Sequence, residues 1–188
     1  MPHFRPLFPT MQVTLVLAAF VLGGCSDEAE NPVLVDERAG ILRGVRFGDT
    51  ESRIRARLGE PTDDEDGVFP GGRRFTGPPS IPVPASDRAT RARPAELHYD
   101  DTSFLVSPTT GVFSMATLAE GARTRAGVEI GDDLDRVREV YNRVDCGETA
   151  YGAESFNYPW CRVLGDVHVF FGDDPIDSIT LSLTAARG

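Results

Sequence analysis

The chain has 188 residues, and its 19 basic residues are all arginine because the sequence contains no lysine. This excludes chemistries that need a lysine, among them the P-loop, Schiff-base catalysis and the Ser-x-x-Lys hydrolases. The 29 acidic residues give a formal net charge of −10, which argues against a general nucleic-acid binder. Apolar residues make up 40% of the chain, enough for a folded core in one domain or two small ones.

Residues 1–24 are typical of an export signal. Residues 1–12 carry one arginine, Arg5, and no acidic residue, and an apolar run follows at 13–22. This run is too short to span a bilayer, which takes about 20 residues. It leads into the sequence Leu-Gly-Gly-Cys ending at Cys25, which resembles the bacterial lipobox. An ordinary secretory signal with an unrelated cysteine is the alternative.

The lipobox implies that Cys25 becomes the lipidated N-terminus of the mature protein, with palmitate among its acyl chains. Each buried methylene contributes about 0.8 kcal/mol, so more than one chain anchors the protein stably in a membrane. Ser26 follows the cysteine, and by resemblance to enterobacterial sorting rules this favours the outer membrane over the inner membrane. Residues 25–40 are otherwise mostly polar and acidic and are expected to form a tether.

The two remaining cysteines, Cys146 and Cys161, are expected to form a disulfide because an export compartment is oxidising. The closed loop of about 15 residues would contribute roughly 3 kcal/mol in the chain-entropy model. Two free thiols are the alternative. We expect no metal site at the pair, because no histidine lies near it in the sequence, and the chain indicates no cofactor.

Two stretches of the domain, 44–59 and 127–142, share one pattern at an offset of 83 residues. Six of their sixteen positions are identical, and such self-similarity indicates an internal repeat. The identical pairs are Gly44/Gly127, Val45/Val128, Gly48/Gly131, Asp49/Asp132, Arg53/Arg136 and Arg55/Arg138.

Each stretch predicts a glycine turn followed by a short helix. Thr50 and Asp133 lie where an N-cap side chain would accept a backbone N–H, and apolar residues then recur every three or four positions. Gly59 and Pro61 end the first helix. An anion-binding helix N-terminus is the alternative, and the purely structural turn is favoured because the aspartate that follows the glycine would repel an anion.

After each helix come three segments that are rich in β-branched and aromatic residues, and their short connections require antiparallel hairpins. We therefore predict an α+β fold of two tandem units, 41–118 and 119–188. Each unit is a short helix, or helix pair, followed by an antiparallel β-meander. The predicted strands are Glu96–Tyr99, Ser103–Val106 and Val112–Leu118, then Cys161–Leu164, Val167–Phe171 and Ile176–Leu183.

A proline-rich segment, 61–94, interrupts the first unit. It begins acidic and becomes rich in arginine, and its composition predicts a flexible, partly polyproline loop. A partner-docking segment is the alternative.

The opening motif of the first unit resembles that of the small lipoproteins of the outer-membrane-protein assembly machinery. It comprises the glycine turn, Thr50, the apolar residues Ile54 and Leu58, and the Gly-Glu-Pro that ends at Pro61. Two such units in tandem with a disulfide are also similar to the β-lactamase inhibitor protein family. The chain departs from the first family by its duplication and from the second by its lipid anchor and single disulfide. Both resemblances imply a non-enzymatic protein that presents surfaces to other proteins.

No catalytic constellation and no metal-ligand spacing is visible in the sequence. His98 and His168 belong to separate predicted strands, where histidines are usually packed or solvated. The paired aspartates lie at predicted turns or at a helix cap, where backbone geometry favours them. The sequence selects no carboxylate pair of the glycosidase type.

The segment between the two cysteines is the best candidate for a binding surface, because a loop of reduced freedom presents four aromatic residues there. The alternative is that Phe156 and Trp160 only fill a gap between loop and sheet. The four residues are Tyr151, Phe156, Tyr158 and Trp160.

We therefore expect a non-enzymatic envelope lipoprotein that binds or scaffolds another envelope protein through its sheet face and this aromatic loop. Its predicted partners are the membrane, through the lipid on Cys25, and a protein, with no nucleic acid. An inhibitor of a secreted enzyme and a carboxylate-dependent hydrolase of cell-wall or glycan material are the alternatives.

Overall fold

Strands dominate the fold. The computed structural model describes residues 32–62, 84–90, 93–151 and 156–184, and helices are short and few among them. The predicted α+β class with mostly antiparallel sheets is confirmed. In chain order the elements are β1 (Leu34–Asp36), β2 (Ile41–Leu42), β3 (Val45–Arg46), α1 (Glu51–Leu58), α2 (Ala85–Thr90), β4 (Ala95–Tyr99), β5 (Thr102–Ser107), β6 (Gly111–Thr117), β7 (Arg123–Thr124), α3 (Leu134–Val140), β8 (Val144–Tyr151), β9 (Phe156–Val163), β10 (Val167–Gly172) and β11 (Ser178–Leu183).

The larger sheet has seven strands in the order β4-β5-β6-β11-β10-β9-β8. All neighbours in it are antiparallel, and the short connections require this for every pair except β6 and β11. Strands β6 and β11 pair in the middle, with Leu181 opposite Met115. The sheet therefore has two edges, β4 at one side and β8 at the other, and both matter for function.

A second sheet of four short strands, β3-β2-β1-β7, was not predicted from the sequence. Strand β1 pairs antiparallel with β2 and parallel with β7, and its Val35 is only 1% exposed. The expected tether, 25–40, therefore includes residues that belong to the folded domain. The apolar Val33, Leu34 and Val35 stand between acidic residues, and so short a run gives no period that identifies a strand.

One hydrophobic core lies between the larger sheet, helices α1 and α3 and the smaller sheet. Ile54 of α1 and Val137 of α3 are fully buried, as are Phe104 of β5 and Phe171 of β10. The predicted three- and four-residue spacing in each helix thus identified residues that face the core. Burying side chains of this size supplies the main favourable free energy of folding.

The turns before α1 and α3 make the same pair of backbone hydrogen bonds, to Val112 of β6 and to Ile176 just before β11. Both turns contain a glycine with positive φ, 81° at Gly48 and 101° at Gly131, a conformation that other residues rarely adopt. The bonds are Gly48 N to Val112 O (2.9 Å) and Val112 N to Asp49 O (2.9 Å), then Gly131 N to Ile176 O (2.8 Å) and Ile176 N to Asp132 O (2.8 Å).

The predicted side-chain caps are absent. Thr50 and Asp133 occupy the N-cap positions, but neither side chain makes a cap hydrogen bond. The first amide of α3, at Leu134, instead donates to Asp174 Oδ1 at 3.2 Å. The cap of α3 therefore comes from a distant turn, which a local sequence pattern cannot reveal.

Part of the predicted proline-rich loop, 61–94, is helical. Helix α2 lies within it, and its Asp87 is fully buried and accepts a hydrogen bond from Ser107 Oγ at 2.9 Å. Residues 63–83 and 91–92 lie outside the described residues, as do the signal at 1–24 and Cys25. In the part of the chain that the structure describes, no helix is long and apolar enough to cross a membrane.

Candidate protein-binding site

The predicted disulfide is present and joins the edge strand β8 to its neighbour β9. Cys146 of β8 and Cys161 of β9 are bonded at 2.04 Å between sulfurs, and their Cα atoms are 4.1 Å apart. The intervening segment is not the loop that the sequence suggested: it continues as a hairpin, paired from Val144 opposite Val163 to Tyr151 opposite Phe156. The disulfide therefore fixes a regular two-stranded element at the edge of the sheet.

The β8–β9 hairpin extends beyond its neighbour in the sheet. Strand β10 pairs with β9 only between Trp160 and Val163. Beyond this ladder the Asp173 N–H donates to Pro159 O at 2.9 Å, and the outer part of β9 otherwise pairs with β8. Pro159 lies in this outer part, opposite Glu148 of β8. The two residues form a non-hydrogen-bonded pair of the ladder. Proline is tolerated there because the N–H that it lacks would not have bonded to β8.

Trp160 is half-buried and fixed on several sides. Its ring stacks on Phe170, with centroids 5.7 Å apart and planes at 23°, and the Arg162 guanidinium lies 5.7 Å from the ring centroid. Its Nε1–H donates to Thr149 Oγ1 at 3.0 Å. Gly147 lies beneath the ring, where a Cβ would come within 3.0 Å of it. These contacts fix the ring, and the alternative that Phe156 and Trp160 only fill a gap stays a prediction.

Tyr158 ties the hairpin to the turn between β10 and β11. Its hydroxyl donates to Asp177 Oδ1 at 2.9 Å. A Cβ at Gly172 would lie 2.3 Å from the same hydroxyl oxygen, so only glycine leaves room for this contact. Tyr158 and Trp160 are two residues apart on one strand and therefore share one face of the sheet.

Tyr151 and Phe156 are the last pair of the hairpin, as their backbone register places them opposite each other. Their side chains lie outside the part of the chain that the structure describes. The structure thus brings the four predicted aromatic residues onto one hairpin, and it describes the surroundings of two of them.

Charged residues beside Trp160 complete the site and were missed from the sequence. Arg162 Nη2 donates to Asp145 Oδ2 at 2.5 Å, across the pair that joins β9 to β8. Burial lowers the pKa of His168, and the nearby positive charge of Arg162 lowers it further. The alternation at 156–162, in which aromatic residues and then Arg162 occupy every second position, was a signal that could have identified this face.

The centre of the same sheet face is closed. Its small residues on β6 and β11 are at most 7% exposed, so this part of the sheet face offers little surface to a partner. Half-buried aromatic side chains occur instead on the outer hairpin. The buried central residues are Ser114, Ala116, Thr180 and Ser182.

The clefts of the described surface include one of about 560 Å³ and one of about 440 Å³. The first is lined by hydroxyl residues near the start of α1, together with Glu51 and Arg93. The second contains Glu37 and Tyr141 above several valines. The Glu37 carboxylate accepts the backbone N–H groups of Arg125 (2.9 Å) and Ala126 (3.1 Å), so it holds a turn in place. Burial raises the pKa of Tyr141, and the adjacent Glu37 carboxylate raises it further.

The two domain histidines are not brought together. His98 lies on β4 and His168 on β10, with three strands between them. Within the described ranges, no group of three or more His, Cys, Asp and Glu side chains is placed to hold a metal ion.

Comparison with protein-family models, with characterised proteins and with solved structures gives no match. The function has to be argued from the geometry of the β8–β9 hairpin itself.

Proposed function

We propose that the chain is a non-enzymatic lipoprotein of the bacterial envelope that binds another envelope protein through the β8–β9 hairpin. The observation that carries this proposal is the fixed, half-buried Trp160 on a disulfide-tied hairpin at the edge of the sheet. Tryptophan, tyrosine and arginine are the residues that most often dominate binding energy at protein interfaces.

Rigidity is the physical reason for favouring this surface. Binding costs free energy for every side chain that becomes ordered, about 0.5–1.5 kcal/mol for a flexible one. Trp160 is already held by Phe170, Arg162 and Thr149, so little of that cost remains. A partner that covers its exposed side gains apolar burial without first having to order the ring.

The lipid anchor of this proposal rests on the sequence around Cys25. Labelled palmitate should be incorporated into the wild-type protein and should leave no label on Cys25→Ala, which should also lose its association with membranes. Equal membrane association of both proteins would overturn the anchor and leave the hairpin proposal intact. Fractionation of the labelled protein would test the expected outer-membrane location.

We also infer that the fold arose by duplication of one helix-and-meander unit, 41–118 and 119–188. The two glycine turns with their matched hydrogen bonds support this, since Val112 and Ile176 play the same part in each. The meeting of β6 and β11 at the sheet centre agrees with two meanders joined by their last strands. Among the described residues no strand beside β4 corresponds to β8, and the binding surface is therefore assigned to the second unit.

Site-specific photo-cross-linking tests the binding function. A photoreactive phenylalanine analogue replaces Tyr158 in the native host, and the same analogue replaces the exposed Glu120 as the matched control. We expect one defined envelope protein cross-linked at position 158 and not at position 120. No adduct, or the same adducts at both positions, would contradict the proposal. A secreted enzyme as the adduct would favour the inhibitor alternative.

A further inference from the structure

Every second residue of β8 directs its backbone N–H and C=O groups away from β9. Leu164 N donates to Arg143 O at 2.9 Å, and this pair continues the β8–β9 register. Since antiparallel pairs alternate, Asp145 and Gly147 also bond to β9, whereas the residues between them do not. The 4.1 Å Cα separation of Cys146 and Cys161 agrees, because non-hydrogen-bonded pairs are the closer ones.

The N–H and C=O groups of Val144, Cys146 and Glu148 therefore point outward, and we call these groups the β8 edge. Strand β8 is the last in its sheet, and among the described residues none makes a backbone hydrogen bond to the β8 edge. Eight residues make β8 as long as any strand described in the sheet. A row of outward backbone groups of this length is a template for one more strand.

We propose that the β8 edge binds an extended segment of the partner protein as an added strand. This deepens the proposed function and rests on it: the aromatic face of the hairpin and the β8 edge would contact the same partner. Main-chain hydrogen bonds supply affinity in this mode of recognition, and the alternating side chains supply specificity. The disulfide keeps β8 extended before the partner arrives, which lowers the cost of ordering.

The charges along β8 indicate which kind of partner segment would bind there. Asp145 is already paired with Arg162, but Glu148 is exposed and belongs to none of the ion pairs found in the described residues. A lysine or arginine across from Glu148 would be favoured as a cross-strand pair. Val144 and Cys146 pack against the core on the same strand and favour an apolar residue beside them. The net charge of −10 opposes a second copy of this chain as the occupant.

Hydrogen exchange with a synthetic probe tests this inference directly. The probe is the peptide acetyl-Thr-Lys-Thr-Val-Thr-Val-Thr-amide, whose lysine and two valines share one face and would lie across from Glu148, Cys146 and Val144 in an antiparallel pair. The matched control peptide has glutamate in place of the lysine. In the full oxidised protein the amides of Val144, Cys146 and Glu148 should exchange fast. The lysine peptide should slow them by about tenfold or more, and the glutamate peptide should not.

Two protein variants separate pairing from a general effect. Glu148→Pro removes an outward N–H, which an edge strand tolerates, and should abolish the protection. Glu148→Lys should reverse the preference between the two peptides, whereas the control Glu120→Lys should leave it unchanged. Thermal unfolding of each variant shows whether the fold is intact.

The inference is overturned if millimolar lysine peptide leaves the three amides unprotected. It is also overturned if they are protected in the free protein and the protein elutes as a dimer, since a second copy would then occupy the edge. Neither result affects the cross-linking test at Tyr158. The proposed function is therefore tested independently of the added strand.

Discussion

The two edges of the seven-stranded sheet differ in how their outward backbone groups are paired. At β4, the chain pairs the end of its own edge: Thr62 N donates to His98 O at 2.8 Å, and Thr62 Oγ1 accepts from Asp100 N at 3.3 Å. At β8, a disulfide holds a longer strand extended, and the described residues leave its outward groups unpaired. An edge strand with unpaired backbone groups favours aggregation. A rigid edge of this kind therefore indicates that β8 has a function in binding.

The largest expected effect tests whether the two sides share one core. Phe104 beside the β4 edge and Phe171 nearer the β8 edge are both fully buried. Phe104→Ala and Phe171→Ala should each lower the free energy of unfolding by about 3–5 kcal/mol, because each leaves a cavity. Urea unfolding followed by tryptophan fluorescence and by circular dichroism should give one coincident transition for each variant. Two separate transitions would mean that the edges belong to independent units.

The disulfide distinguishes the β8 side, and removing it should have the next largest effect. The double variant Cys146→Ser, Cys161→Ser should have a free energy of unfolding about 3 kcal/mol lower than that of the wild type, because the covalently closed loop is lost. Reduction of the wild-type protein provides the control and should give the same shift. An unchanged midpoint in urea would show that the hairpin needs no covalent bond.

Removing the backbone hydrogen bond at the β4 edge should lower the free energy of unfolding by less than removing the disulfide does. Thr62→Pro removes the N–H that bonds to His98 O and should lower the free energy of unfolding by about 1 kcal/mol. Thr62→Ser keeps both the N–H and a hydroxyl, so it should behave like the wild type. If Thr62→Pro also matches the wild type, residue 62 does not close this edge.

The smallest expected effect concerns pH at the β8 side. The pKa of His168 is lowered by burial, so the folded protein resists protonation there while the unfolded chain accepts a proton near pH 6.5. Stability should therefore fall as pH drops below about 6.5, since the unfolded state binds more protons. His168→Gln should show a shallower loss when urea midpoints are compared between about pH 7 and pH 5. Equal slopes for both proteins would contradict this assignment.

Sequence patterns predicted the β4 side better than the β8 side. The strands at Glu96–Tyr99 and Ser103–Val106 were recognised because apolar, β-branched and aromatic residues dominate them, and the structure extends each by a residue or two. Strand β8 was missed because apolar residues alternate only at its start, at Val144 and Cys146, before a glycine and an acid interrupt the pattern. Its pairing is set by the disulfide and by β9, contacts that no local pattern contains.

Other misses share that cause. Asp174 caps α3 from a distant turn, and the short strands of the second sheet are too brief to show a period. The disulfide and the aromatic residues of the site were found from the sequence, because cysteine count and residue type are local facts. The partners of Trp160, namely Phe170 and Arg162, became visible only in the register of the sheet.

Photo-cross-linking at the two edges is the most direct test of the claim that β8, and not β4, is the binding edge. The photoreactive phenylalanine analogue is placed at the exposed Arg143, next to β8, and at the exposed Glu96 of β4. We predict one envelope protein cross-linked at 143, absent at 96, and lost when Glu148→Pro is added. A partner captured at 96 alone, or at 143 regardless of Glu148→Pro, would contradict it.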